Sequence, residues 1–72
     1  MAKITTASKK VGKKIAKIRK AKGMTQEKLA LRADLNRAYI GYIERGERNA
    51  SLETIRKIAK SLGVKTKDLF SF

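Results

Sequence analysis

Residues 24–49, MTQEKLALRADLNRAYIGYIERGERN, do most to limit what this chain can fold into. They read as two short helices with a tight turn between them. Thr25 is placed to cap the first, which opens at Gln26, and Leu29, Ala30 and Ala33 recur at helical spacing as its buried face. Lys28 stands where a capping box would need Glu or Gln, so the reciprocal bond is missing. Asp34 and Leu35 form the turn. Asn36 caps the second helix, expected over residues 37–45 and ended by Gly46. There Ile40 and Ile43 point inward, leaving Arg37, Ala38, Tyr39, Gly41 and Tyr42 to face outward.

Three more helical segments surround this pair, and no strand is expected. One runs over residues 8–22 and stops at Gly23, with Val11, Ile15 and Ile18 at i, i+4 and i+7 as an apolar stripe. Another follows Ser51, a cap, and gathers Leu52, Ile55, Ile58, Ala59 and Leu62 on one face before Gly63. A last turn over residues 66–70 lays Leu69 and Phe70 across the bundle. The expected fold is therefore all-α with five helices sharing one small core over residues 8–72, preceded by a loose basic arm over residues 1–7.

Charge narrows the function. Nineteen Lys and Arg oppose six Asp and Glu, for a net charge of +13, and the first 22 residues hold nine bases and no acid. Such a field concentrates polyanions, nucleic acid foremost. Phosphate neutralisation makes binding salt dependent, with a log–log slope of about −0.9 per contact. A solvating lysine coat is the plain alternative. The first helix, ringed by Lys9, Lys10, Lys13, Lys14, Lys17 and Lys20, has the pattern of a membrane-surface helix too. Its stripe is narrow, lacks aromatics and is needed for the core, so no membrane partner is expected. No apolar run approaches the ~20 residues that span a bilayer, and no signal-peptide core is visible.

Catalysis finds no foothold. Without Cys or His there are no disulfides, thiol nucleophiles, histidine acid–base pairs or Cys/His zinc sites. The six acids form no paired carboxylate or metal cluster, and no glycine-rich phosphate loop occurs. Neither an enzyme nor a cofactor is expected. The missing Cys fits a reducing cytoplasm, the expected location.

A helix that carries arginine at its N-terminus, braced by a second helix in a basic field, suits the major groove of double-stranded DNA. Arg37 can fork onto guanine O6 and N7, a contact that discriminates by about 1–3 kcal/mol. Ala38 can brush a thymine methyl. Tyr39 either reaches a base edge or stacks on the sugar–phosphate backbone, and Tyr42 either packs in the groove or extends toward phosphate. A partly buried core position is the alternative for each tyrosine. Gln26, at the exposed N-terminus of the supporting helix, is placed for a phosphate, as is its neighbour Thr25. Glu44 falls on the inward edge of its helix, where a lone carboxylate is costly, and Arg19 is its expected partner.

The segments IAKIRKAKGMTQEKLA and YIGYIERGERNASLETIRKIAKSLGV carry a resemblance. From residue 11 to residue 70 the chain resembles the five-helix helix-turn-helix domain of the lambda and 434 repressor class, the XRE-like family. RAYIGYIERGERNASL is most similar to the controller proteins of bacterial restriction–modification systems. The resemblance implies a short regulator, without a separate effector domain, that acts as a dimer on its own promoter. It also implies phosphate contacts by Gln26, Arg45, Arg48, Asn49 and Ser51, and an Arg19–Glu44 pair that joins the first helix to the reading helix. One departure stands out: the family usually has Gly in the turn, and this chain has Asp34, which is expected to survive the left-handed conformation at a modest stability cost.

A monomer this small reads only a few base pairs, so two copies on a pseudo-palindrome are expected. Leu69, Phe70 and Phe72 are the candidate dimer contacts; the chain's only two Phe lie in its last three residues. The alternative is that Phe70 merely closes the core. The expected function is an autoregulating, sequence-specific transcription regulator of the controller kind; activation would require contact with RNA polymerase. A phage-repressor-like or antitoxin-like regulator fits the same residues. The runner-up class is a basic module that binds an acidic protein or a membrane surface, against which Arg37, Arg45 and Arg48 argue.

Overall fold

A computed structural model describes residues 6–72, with side chains from Ser8 onward. Most of the expected arm over residues 1–7 falls outside the described residues; residues 6 and 7 belong to the first helix. Four α-helices follow in order: α1 (Thr6–Ala21), α2 (Gln26–Ala33), α3 (Arg37–Glu44) and α4 (Leu52–Leu62). The fifth element, Thr66–Phe70, is a 3₁₀ helix rather than an α-helix. It is only five residues long, and its start is set locally by two bonds: the Lys65 N–H donates to the Asp68 carboxylate (3.0 Å) and the Asp68 N–H to the Lys65 carbonyl (2.9 Å). No strand occurs among the described residues.

Caps explain the helix boundaries. The side chains of Thr25, Asn36 and Ser51 accept from the N–H groups of Lys28 (3.0 Å), Ala38 (2.7 Å) and Thr54 (3.2 Å). Asp34 ends α2 in the left-handed conformation (φ 55°, ψ 48°), the only non-glycine residue with positive φ among those described. Its N–H and that of Leu35 close the turn onto carbonyls of α2.

Ile15, Leu29, Ile40, Ile43, Ile58, Leu62 and Leu69 are fully buried and form the centre of one core. α1 presents a wider face than its apolar stripe. Ser8, Val11, Gly12, Ile15 and Arg19 are buried, while Ile18 lies on the edge. The face is turned this way because α1 packs on α3 backbone to backbone. A Cβ on Gly12 would lie 2.1 Å from the Ile43 carbonyl oxygen. Leu52 and Phe70 correct the expected core: they are 55% and 47% exposed, and only Leu69 closes the bundle.

Candidate nucleic-acid interface

The site is organised by one buried carboxylate. Glu44, at the end of α3, accepts from Arg19 Nε (2.6 Å) and Nη2 (3.0 Å) and from the Gln26 amide (2.9 Å). Arg19 Nη1 donates in addition to the Met24 carbonyl at 2.8 Å. One guanidinium and one carboxylate thus tie the end of α1, the start of α2 and the end of α3 together. A fork-on-fork pair is the geometry in which a buried charge is satisfied rather than stranded. Among the described residues, no buried side-chain nitrogen or oxygen lacks a partner.

This knot fixes which side of α3 faces out. Arg37 is exposed and lines an open cleft with Thr25, Gln26 and Glu27, so the α3 N-terminus adjoins the α2 N-terminus. Gln26 is half-buried rather than exposed, because its amide is committed to Glu44. Ala38 is exposed beside Arg37. Tyr39 is half-buried and packs against the core, whereas Tyr42 is exposed.

Gly41 departs from expectation. It is buried, not outward, because Arg45 folds back over it; a Cβ there would lie 3.0 Å from Arg45 Nη1. The Arg45 and Arg48 guanidiniums both lie over the Tyr42 ring, 5.3 and 5.1 Å from its centroid, and Arg45 Nε meets the Glu47 carboxylate at 3.1 Å. Arg48, Asn49 and Ser51 are exposed along the loop that leads into α4. Pattern reading missed Gly12, the Gln26–Glu44 bond and the role of Glu47. A glycine inside an otherwise strong helical pattern was the available signal for the first; for the other two there was none.

Leu69 is fully buried, so it offers nothing to a partner, which corrects its placement among the dimer contacts. Phe70 and Phe72 lie in different surroundings. Phe70 borders a groove of about 270 Å³ with Leu52, Ile55, Ile43 and Val11. Phe72 lies against α1, with Lys10 Nζ 5.5 Å from its ring centroid.

This architecture matches a described family across residues 15–69, the helix-turn-helix family. The chain belongs to the helix-turn-helix family. Within it the chain is similar to restriction–modification controllers. Control protein C.BamHI of Bacillus amyloliquefaciens is 56% identical over 62 residues, covering 85% of this chain and 76% of that one. The crystal structure of the controller C.AhdI from Aeromonas hydrophila superimposes with a TM-score of 0.87 at 40% identity, over 90% of this chain and 98% of that one. The controller C.Esp1396I, solved as a tetramer with its natural 35-base-pair operator, matches this helix-turn-helix chain with a TM-score of 0.85 at 42% identity, over 92% and 87% of the two chains. Among the described residues, no helix is long and apolar enough to cross a membrane.

Proposed function

We propose that this protein is a sequence-specific DNA-binding transcription regulator of the controller kind, which binds a pseudo-palindromic operator as a homodimer and regulates its own promoter. The carrying observation is the exposed N-terminus of α3, with Arg37 and Ala38 free and the helix locked from behind through Glu44. Arg37 reads guanine, Ala38 lies against a thymine methyl, and Tyr39 offers its free edge beside them. Thr25 and Gln26, the latter through its backbone N–H at the start of α2, hold phosphate on one side, and Arg45, Arg48, Asn49 and Ser51 hold it on the other. Operator binding by the C.Esp1396I tetramer supports this reading. The all-helical fold, which matches that of a solved controller, supports it too; we read it as the lambda-repressor class with the 3₁₀ turn in the place of its fifth helix. The second copy docks on the Leu52–Phe70 groove. Activation from such a site also requires a surface for RNA polymerase.

The test is anisotropy titration of duplex from immediately upstream of the gene against scrambled duplex, at two salt concentrations. A preference of about a thousandfold that persists near ~150 mM salt is expected. Arg37→Ala should remove most of it. Equal binding to both duplexes, collapsing as salt rises, would sink the reading.

A further inference from the structure

Two arginines beside one exposed aromatic ring call for a reason. Arg45 and Arg48 carry like charges, yet both guanidiniums lie within 5.3 Å of the centroid of Tyr42. In water two long cationic side chains would spread apart and sample many rotamers. Three features hold them here. The electron-rich π system of the Tyr42 ring attracts both cations. The Glu47 carboxylate offsets part of the repulsion through Arg45 Nε at 3.1 Å. The missing side chain at Gly41 opens the space that lets Arg45 fold back along α3.

We propose that Tyr42 is a positioning residue: its ring seats Arg45 and Arg48 as preformed cations that take backbone phosphate of duplex DNA. The proposal rests on the DNA-binding reading and assigns Tyr42 a role other than base reading. A phosphate approaching either cation meets donors already held in place, so less side-chain freedom is lost on binding. The same contact expels Glu47, whose carboxylate competes with phosphate for Arg45. Tyr42 acts on affinity for any duplex, and not on the choice of sequence.

The test uses the full chain, with Tyr42→Leu, Tyr42→Phe and Glu47→Gln, titrated against the upstream duplex and the scrambled duplex. Tyr42→Leu should weaken binding to both by the same factor, about fivefold, whereas Tyr42→Phe keeps the ring face and should stay within about twofold of the parent. Glu47→Gln should tighten both. In the free protein, NMR should place the Arg45 and Arg48 side-chain N–H resonances upfield through the ring current, and Tyr42→Leu should release them. Loss confined to the upstream duplex would show Tyr42 reading a base, and overturn the proposal. So would unchanged binding by Tyr42→Leu, or arginine resonances in the parent that feel no ring. If the parent itself shows no preference for the upstream duplex, the regulator reading fails, while the scrambled duplex and the NMR shifts still decide the part played by Tyr42.

Discussion

At the scale of single residues, a buried ion pair and a glycine hold α1 on α3. Arg19→Ala would leave the Glu44 carboxylate buried with only the Gln26 amide, and Glu44→Ala would leave a guanidinium facing only the Met24 carbonyl. Each single substitution should cost about 3–5 kcal/mol, measured by urea unfolding, because a buried charge loses its counter-charge. Gly12→Ala sets two effects against each other. Alanine favours a helix interior over glycine by about 1 kcal/mol. The added methyl, however, would fall 2.1 Å from a backbone carbonyl that cannot swing aside as a side chain would. Overpacking of that kind costs about 1–3 kcal/mol or more, so the same unfolding experiment should show net destabilisation. Net stabilisation would mean that α1 and α3 can part without loss.

At the scale of elements, the chain announces its helices through end signals. Thr25, Asn36 and Ser51 were legible as caps, and the starts of α2, α3 and α4 followed from them. What pattern alone could not supply depends on partners distant in sequence. The buried face of α1 turns toward Gly12 and Arg19 because of the α3 backbone, which no periodicity within α1 records. Leu52 continues the apolar face of α4 by spacing, yet at the first turn it projects past the bundle. Tyr39 and Tyr42 could not be separated by spacing either; contact with the core on one side and with two arginines on the other divides them. The turn between α2 and α3 gives a test at this scale. Asp34 holds a left-handed conformation that glycine adopts without steric cost. It shares an open depression with Arg32, Lys57 and Lys60, whose attraction fades in high salt. Asp34→Gly should therefore raise stability by about 0.5 kcal/mol in concentrated salt, by thermal melt. A loss there would mean that the side chain itself holds the turn.

At the scale of the whole molecule, the question is how so small a reading head selects one site. Leu52 and Phe70 are exposed at the borders of one groove, which Arg48 and Asn49 line as well, whereas Leu69 is buried in the core. If a second copy covers that groove, Leu52→Lys with Phe70→Lys should leave the fold intact and halve the sedimenting mass. Leu69→Ala, by contrast, should cost about 2–5 kcal/mol of stability, because it empties the core. The consequence for recognition is larger than the loss of a contact. In a dimer, the two half-site discriminations add as free energies and multiply as ratios. A thousandfold preference shared equally between two half-sites leaves a free monomer with its square root, about thirtyfold. The groove double variant should therefore lose most of its discrimination with every reading residue still in place, as anisotropy on the two duplexes would record. Full discrimination in a proven monomer would mean that one copy of α3 carries the whole recognition, and the groove would then need another occupant.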